Sequence, residues 1–527
     1  MLREVGSLDA TPSKGMYRSI IADYNLRTGV CELVDNAVDQ WTRSGRQRPL
    51  TVNVIVRLDQ QVIQVADNAG GVNHDDLTLL VTPGDGSGGT EEIIGIFGVG
   101  SKRAVVALAE AVTIRTRQSN GTTYQIQFDN VWLANPDWAL PIYEADAIAD
   151  DSTFIDLSRL RFRIDEGELS LLQEHLQATY GLLLNNAALT LRLNGDVVTS
   201  LLFDNWSYPP AYGPRHFDGT LTTEDGHTIR FDALGGLTNE PGSIAGEYGV
   251  YFYCNDRLIA RRVQTPDVGF IAGMAGAPHN VVSLVRVIVF LKGPAECMPW
   301  NSSKSGIGVN HRTFKAMQKW LTTTVTSYAK VCKLFHGDWK EQVFKYKTGQ
   351  VVSLHVDDFE QVKKSFLPTL PVKKVRYSTD VQKINAAVLD RKPWARGAVD
   401  ADIAVELIQK QSLDQKNRLA LILLDSSLEI AFKDYLVNEV KSQHFTDAQL
   451  LQLFSKRHLV EAEIKKHISW PASKWQKLKF FYNLRCKLIH ERAAAGIKDA
   501  EIAELRQLVQ QMLKKLFKLK WPSPTRI

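Results

Sequence analysis

Residues 32–40, ELVDNAVDQ, most constrain what this chain can fold into, because they interleave acidic and amide side chains with apolar ones. The apolar residues of the wider segment 17–44 recur at helical spacing, so we predict a helix there. Glu32 and Asn36 are four residues apart and share one face of that helix. We therefore expect an apolar face that packs on a sheet and a polar face that forms the wall of a pocket.

Two segments rich in glycine follow this helix. Residues 50–58 and 61–66 alternate apolar and polar side chains, which predicts two antiparallel strands, and Asp67 comes directly after the second in the loop DNAGGV. Residues 82–101 hold seven glycines and end in GIFGVGSK, just before a helix predicted at 102–110. Glycine leaves a backbone many conformations, so this segment is expected to be mobile.

Each of these three segments suits one part of Mg²⁺–ATP. A carboxylate at a strand end accepts a hydrogen bond from the exocyclic amine of adenine. A glutamate on the helix orients water toward the γ-phosphate, and an amide one turn later ligates Mg²⁺. Glycines at a helix start let backbone N–H groups approach phosphates, and phosphoryl transfer needs little beyond positioning and charge neutralisation.

The order and residue types of these motifs resemble the GHKL ATPase family, which includes gyrase, MutL, histidine kinases and MORC proteins. The resemblance implies that Glu32 is the general base, that Asn36 holds Mg²⁺ and that Asp67 reads adenine, with Thr153 of DSTFIDL supporting it through water. It also implies an ATP lid. The residues expected to contact ATP in the second and third motifs are Gly71, Gly95, Gly98, Val99, Gly100, Ser101 and Lys102. Ala69 stands where the family usually has glycine.

Taken singly, each motif has an ordinary interpretation. A Glu–Asn pair at this spacing is usually a solvated helix face, a lone DNAGG is usually a turn, and a lone GxxGxG is weak. Their occurrence together and in order favours the ATPase. Asp35 and Asp39 fit plain exposed acids, so no catalytic role is assigned to them.

A second region, residues 196–345, resembles the transducer domain that follows the GHKL fold in MORC-type proteins. Residues 248–259, YGVYFYCNDRLI, resemble a strand and turn of that domain, and residues 298–307, MPWNSSKSGI, resemble its loop with a lysine. The resemblance implies that Lys304 contacts the γ-phosphate and senses its presence. The alternative is a solvated loop lysine. Such proteins dimerise when ATP binds, and residues 1–18 would then cross onto a partner subunit.

Residues 346–400 hold several prolines and lysines and predict a linker with short helices, and residues 401–527 predict an all-α domain. The helix FFYNLRCKLIHE at 480–491 resembles HEPN-type domains, whose RNase members carry an Arg and a His such as Arg485 and His490. Cys486 stands where active members often have a polar residue. The alternatives are an inactive dimerisation module and ordinary helix residues. Four lysines follow in the last part of the chain, and they are expected either to contact RNA phosphates or to form the solvated face of a helix: Lys514, Lys515, Lys518 and Lys520.

Composition sets the remaining expectations. Five cysteines without metal spacing predict reduced thiols and a cytoplasmic protein, and a net charge of +5 permits a nucleic-acid partner. The first residues lack an apolar run and residues 281–291 are too short to span a bilayer, so no signal peptide and no membrane segment are expected.

The fold class predicted is α+β, with a GHKL (Bergerat) ATP-binding sandwich at residues 1–195 ahead of the transducer-type and helical domains. The function predicted is an ATP- and Mg²⁺-dependent ATPase whose homodimer closure controls a helical effector. One interpretation of that effector is an RNase in bacterial antiviral defence or stress response. The alternative is a MORC-like DNA clamp without nuclease activity, and a third is a chaperone-like ATPase.

Overall fold

The computed structural model describes most of the chain: residue 14 and residues 24–82, 92–95, 98, 100–207, 213–222, 226–239, 246–344, 351–356, 377–440, 445–490 and 496–522. The chain divides into two compact units, Met1–Pro371 and Val372–Ile527. Among the helices described, none combines the length and the apolar character needed to cross a bilayer.

The first sheet of the N-terminal unit has eight strands in the order β5-β4-β3-β6-β2-β1-β7-β8. All neighbours are antiparallel except β1 and β7. The strands are β1 (Leu50–Arg57), β2 (Val62–Asp67), β3 (Ala109–Arg117), β4 (Thr123–Asp129), β5 (Ile142–Ala145), β6 (Ser152–Leu160), β7 (Leu189–Leu193) and β8 (Asp196–Val197). The helices of this region are α1 (Leu26–Arg43), α2 (Thr78–Val81), α3 (Gly100–Leu108), α4 (Asn130–Ala134), α5 (Glu166–Thr179) and α6 (Gly181–Asn185).

Helix α1 is held on this sheet by its apolar face. Leu33, Val34 and Val38 are buried in one cluster with the inward side chains of β1 and β2. A fully buried aliphatic side chain of this kind contributes about 1.5–3 kcal/mol. The helix begins with a capping box, in which Asn25 and Thr28 satisfy each other's backbone N–H groups. These interactions fix the position of the acids on the remaining faces of α1.

The second sheet has six strands in the order β12-β11-β13-β10-β9-β14. They are β9 (Arg215–Thr222), β10 (Thr228–Leu237), β11 (Gly249–Cys254), β12 (Arg257–Val263), β13 (Val285–Lys292) and β14 (Val352–Val356). The long helix α7 (Arg312–Leu334) packs on this sheet through Trp320, which contacts Phe217 and Phe231 edge-on, and the short helix α8 (Trp339–Gln342) follows. Trp300 packs against the cores of both sheets, so the segment that leads to Lys304 is anchored between them.

The C-terminal unit is helical over the residues described. Its helices are α9 (Tyr377–Arg391), α10 (Arg396–Gln409), α11 (Lys416–Asn438), α12 (Asp447–Phe454), α13 (Arg457–His467), α14 (Ala472–His490) and α15 (Asp499–Phe517). Its core is an apolar cluster in which Leu424, Phe432 and Met512 are fully buried. In α15, Leu513, Leu516 and Phe517 are buried in that core, whereas the lysines at 514 and 515, and those at 518 and 520 just after the helix, are exposed.

Several expected boundaries differ from the structure. The helix predicted at 102–110 begins at Gly100 and ends at Leu108, because the chain continues as β3. The sequence also predicts one helix at 166–184, which the structure divides at Tyr180, where φ and ψ are −105° and 13°. Within the predicted linker at 346–400, the described residues form β14, which pairs with β9, and helices α9 and α10, which contribute to the C-terminal core. The helix predicted from residue 17 begins at Leu26, because Asn25 is extended and caps it, and residues 17–23 lie outside the described residues.

Candidate active site

Three acids of helix α1 are buried. Glu32, Asp35 and Asp39 are exposed by 1%, 1% and 4%, whereas Asn36 is exposed. A buried carboxylate costs free energy unless cations or hydrogen-bond donors surround it. The interpretation of Asp35 and Asp39 as plain exposed acids is therefore wrong, and the partners of each acid show what α1 is built to do.

The first partner is Lys304, which comes from the loop after β13. Its ammonium nitrogen lies 2.5 Å from Oε2 of Glu32 and 3.2 Å from Oδ2 of Asp35. Burial by itself would lower the pKa of Lys304, but the charges of Glu32 and Asp35 outweigh it and raise that pKa above its usual value. Lys304 is thus a buried cation paired with the helix acids, and it is not solvated.

The loop holds Lys304 in an unusual backbone conformation. Its φ is +49°, a left-handed value that costs free energy for a residue with a side chain. Asn301 organises the turn, since its carbonyl accepts the N–H of Lys304 and its side chain accepts the N–H of Ser305. The strained conformation is therefore maintained by hydrogen bonds that point Lys304 toward α1.

Asp35 connects helix α1 to three other elements. Oδ1 accepts hydrogen bonds from Nε of Arg257, at 2.8 Å, and from the hydroxyl of Tyr180, at 2.7 Å. Nη1 of Arg257 also donates to the carbonyl of Lys304, at 2.7 Å. Burial would raise the pKa of Asp35, but Arg257 and then Lys304 overcome it and hold that pKa below its usual range. Asp35 is thus ionised and joins α1, the start of α6, β12 and the lysine loop.

Asp39 holds the start of the glycine-rich segment. Its carboxylate accepts the N–H groups of Ile94 and Gly95, both at 2.6 Å. Burial raises the pKa of Asp39 to about 7, against the lowering effect of these two bonds and of Lys304. Asp39 is therefore an anchor for the part of the expected lid that the structure describes.

Two glycines of this segment lie directly against the α1 acids. A Cβ atom on Gly95 would be 2.8 Å from Oδ2 of Asp39, and one on Gly100 would be 2.1 Å from Oε2 of Glu32. Glu32 thus sits at the first residue of α3, where no side chain fits. The other Oε atom of Glu32 is buried without a hydrogen-bond partner among the described residues.

Of the remaining lid residues, Gly98 has a φ of +56° and Ser101 is partly buried on α3. Lys102 is 5% exposed. The predicted contact residue Val99 lies outside the described residues.

The predicted adenine-side residues meet at the end of β2. Asp67 pairs directly with Thr153 of β6 in the antiparallel register. Burial raises the pKa of Asp67 to about 6, although the backbone N–H groups of Ala69 and Thr153 lower it. Ala69 is buried without a left-handed φ, because the left-handed positions are the two glycines that follow. Alanine therefore fits this loop.

The backbone conformation and the close neighbours of residue 71 leave room only for glycine. Its φ is +63°, and a Cβ atom there would come within 2.0 Å of the carbonyl oxygen of Arg117. Its carbonyl accepts a hydrogen bond from Gln40 of α1, at 3.3 Å. Gly71 thus lets the DNAGGV loop pack against the end of β3, beside α1.

In the helical unit, the buried side chain of Asp425 lies beside two arginines. Asp425 of α11 accepts a bond from Nη1 of Arg457 through Oδ1, at 2.7 Å. Nε of Arg485 lies 3.6 Å from Oδ2 of Asp425, and neither of these two atoms has a hydrogen-bond partner among the described residues. Arg485 is 24% exposed at its side chain. His490 ends α14, but its side chain lies outside the described part, so the Arg485–His490 pair stays a prediction.

A mixed sheet with an acid-bearing helix on one face and a glycine-rich segment against that helix fits the α/β fold of GHKL ATPases. Residues 24–157 match the family model of histidine kinase-, DNA gyrase B- and HSP90-like ATPases. The match supports membership of this region in the GHKL superfamily, and with it ATP binding and hydrolysis. It ends before the second sheet, and comparison with curated proteins finds no match.

Sequence reasoning missed Asp35, Asp39, Tyr180 and Arg257 as parts of the site. One signal was present for Asp35, since an acid three residues after Glu32 returns to the same side of a helix. No local signal marks Arg257, which is 222 residues from Asp35 in the chain. Only the packing of β12 near α1 brings them together.

Proposed function

We propose that this chain hydrolyses ATP with Glu32 as the general base and Lys304 as a sensor of the γ-phosphate. The observation that carries the proposal is the buried contact between the two side chains, which come from α1 and from a loop of the second sheet region. A base held in an ion pair is a poor proton acceptor. A γ-phosphate that draws Lys304 toward itself would release Glu32 to orient and deprotonate the attacking water.

The remaining residues of the site are assigned by the same proposal. Asp67 and Thr153 bind adenine, and the phosphates lie against Gly71, Gly95, Gly98, Val99, Gly100, Ser101 and Lys102. The position of Glu32 beside Gly100 supports this, because it leaves room only for backbone at the first residue of α3.

Mg²⁺ is the metal that the site suits. Asn36 is exposed one turn beyond Glu32, and the uncompensated Oε1 of Glu32 is a further oxygen there. The described residues contain no group of three His, Cys, Asp or Glu that would hold a metal by itself. Mg²⁺ ordinarily takes one or two protein oxygens and completes its shell with phosphates and water. Bound at Asn36, it would neutralise phosphate charge.

The contacts of Lys304 and Arg257 with α1 also support a conformational output. Both residues belong to the second sheet region, so a ligand that breaks the Lys304–Glu32 pair changes what holds this region to α1. We propose that ATP binding closes a homodimer in this way and that closure controls the helical unit. An RNase is one candidate for the output, with Arg485 and His490 as catalytic residues. A DNA clamp is the alternative, and the exposed lysines in the last turn of α15 and just after it support a nucleic-acid partner for either.

Turnover of ATP by the full chain tests the general base. Glu32→Gln should lower the turnover rate about 10²–10⁴-fold, the usual contribution of a general base, while ATP binding is retained. Glu144→Gln, at an exposed glutamate of β5, is the matched control and should turn over normally. Equal rates for the wild type and Glu32→Gln would remove the assignment.

The affinity ratio for ATP over ADP tests the sensor. Lys304→Met should bind ADP as the wild type does and lose most of its preference for ATP, because the side chain that meets the third phosphate is gone. An unchanged ratio would mean that Lys304 only neutralises the α1 acids.

The output is tested on nucleic acids. Total RNA is incubated with the wild type, Arg485→Ala and His490→Ala, with and without ATP. Cleavage that both variants lose supports the RNase. Salt-resistant retention of circular DNA with a non-hydrolysable ATP analogue, without RNA cleavage, supports the clamp.

A further inference from the structure

A cavity of about 580 Å³ lies in the N-terminal unit beside Lys304. Its walls are the first turn of α1, one face of α5, the strand β12 and the loop from Lys304 to Val309. None of the residues predicted to bind adenine or Mg²⁺ lines it. The cavity therefore lies apart from the predicted adenine and Mg²⁺ residues and shares Arg257 and Lys304 with the active site.

The lining is rich in cations: Arg27, Arg257, Arg261, Arg262 and Lys304. Four of them have acidic partners. Lys304 pairs with Glu32, Arg257 with Asp35, and both Arg261 and Arg262 with Glu247, while Arg261 also pairs with Glu174 of the wall.

Arg27 is the exception among these cations. It is partly buried in the first turn of α1, and no ion pair or hydrogen bond joins its side chain to another described residue. Asp267, the other acid of the wall, pairs with none of the five cations. A guanidinium that faces a cavity without a counter-ion is a ready partner for an anionic ligand.

The pKa of His175 shows that the electrostatic potential at this wall is positive. Burial and then the charges of Arg257, Arg27 and Arg261 lower the pKa of His175 to about 4, so the imidazole is neutral near pH 7. The three arginines thus act on the same part of the wall. The N-terminal end of α1 adds a partial positive charge there.

The cavity also runs from the inside of the unit to its surface. Lys304 and Arg257 are buried at one end, and Glu174, Arg262 and Ser305 are exposed elsewhere on its wall. The buried end is formed by the lysine that contacts Glu32. Glu32 itself does not line the cavity, so an anion released next to Glu32 would reach the cations of the lining past Lys304.

We propose that this cavity is an oxyanion site that receives the inorganic phosphate formed by ATP hydrolysis, with Arg27 as its main ligand. The proposal rests on the ATPase function proposed above, in which water cleaves the γ-phosphate and leaves ADP and inorganic phosphate. Lys304 would pass the phosphate from the Glu32 side to Arg27, whose planar guanidinium can donate two hydrogen bonds to one phosphate. The volume admits the ion together with several waters.

Binding of phosphate alone tests the site without any need for catalysis. Radiolabelled inorganic phosphate is dialysed to equilibrium against the full chain in the absence of nucleotide. We expect saturable binding to the wild type, binding at least tenfold weaker in Arg27→Gln, and near-normal binding in Arg27→Lys. Arg43→Gln, at the other end of the same helix, is the matched control and should bind normally.

The opposite results are equally clear. Absence of saturable phosphate binding, or equal binding by Arg27→Gln and the wild type, would overturn the proposal. Binding that ADP displaces and Arg27→Gln leaves unchanged would place the phosphate in the nucleotide site and would also overturn it.

Kinetics then separate this proposal from the ATPase assignment. With a rapid phosphate sensor and quenched-flow measurement of hydrolysis, Arg27→Gln should release phosphate several-fold more slowly while cleaving ATP at the wild-type rate. If the wild type does not cleave ATP, the proposed function fails, but the dialysis result still shows whether the cavity binds phosphate. Unaltered release by an Arg27→Gln variant that does cleave ATP would reject the route.

Discussion

The two units of this chain each bury an aspartate beside two cations, and they satisfy it differently. Asp35 accepts bonds from Arg257, Lys304 and Tyr180 and is held ionised, with its pKa below the usual range. Asp425 accepts one bond from Arg457, while Arg485 stands 3.6 Å away. Burial dominates there and raises the pKa of Asp425, against the charges of Arg457 and Arg485.

The difference shows what a buried carboxylate needs. Charge nearby is not sufficient, because a cation lowers the pKa strongly only at hydrogen-bonding distance and in a closed site. The Asp35 cluster meets both conditions and links several elements. The Asp425 cluster meets them on one oxygen only, and its second arginine reaches solvent.

The largest expected effect is the loss of Asp35. Asp35→Ala should lower the free energy of unfolding of the N-terminal unit by about 3–5 kcal/mol, because it leaves Arg257, 3% exposed, as an unpaired buried charge. Hydrogen exchange in denaturant, read on peptides of each unit separately, measures this. Asp59→Ala, at an exposed turn residue, should change the value by less than about 0.5 kcal/mol. A loss below about 1 kcal/mol for Asp35→Ala would break the comparison.

Asp425→Ala should cost less, about 1–3 kcal/mol in the C-terminal unit. Arg457 would keep its bond to Glu461, at 2.9 Å, and its contact with the Tyr482 ring, and Arg485 would be hydrated. The same exchange measurement applies, with exposed Asp400→Ala as the control. A cost as large as that of Asp35→Ala would show that the two clusters are equivalent.

The pH dependence of unfolding should distinguish the two acids by its direction. A lowered pKa in the folded state adds stability that is complete above the unfolded pKa, about 3.9, and is lost as the pH falls through the folded value. A raised pKa in the folded state lowers stability once the unfolded carboxyl group ionises. The contribution of Asp425 to the free energy of unfolding should therefore fall as the pH rises from about 4 to its folded pKa.

The measurement compares the free energy of unfolding of the wild type with that of an Asp→Asn variant at each of the two positions. Between pH 4 and pH 7, the stability difference between the wild type and Asp35→Asn should stay constant, whereas that between the wild type and Asp425→Asn should decline. A decline in the Asp35 series, or a constant difference in the Asp425 series, would contradict the assigned directions.

The smallest effect is expected for Arg485. Because Arg485 is partly exposed and its Nε is 3.6 Å from Asp425, Arg485→Leu should lower the stability of the C-terminal unit by less than about 1 kcal/mol. Arg257→Leu in the other cluster should cost several times more. A large loss for Arg485→Leu would give this residue a structural role and weaken its candidacy as an RNase residue.

Local patterns predicted much of the architecture. Alternating apolar residues predicted strands at 50–58 and 61–66, and β1 and β2 lie at Leu50–Arg57 and Val62–Asp67. Helix α1, the strand end at Asp67 and the glycines beside α3 were also predicted, since each depends on periodicity or on a short turn. The strand β14 was not predicted, because a short strand that pairs with a distant one leaves the same local signal as an extended linker.

The sequence by itself determined which residues share a helix face and where glycine must stand, because the geometry of a helix or a turn repeats over a few residues. It placed Glu32, Asp35 and Asp39 on one helix among apolar side chains. Only the tertiary structure decided that these acids are buried and which cations neutralise them, since Lys304 and Arg257 come from more than two hundred residues away. The energy of a buried charge depends on everything within a few ångströms, and that environment is assembled only when the two sheets pack together.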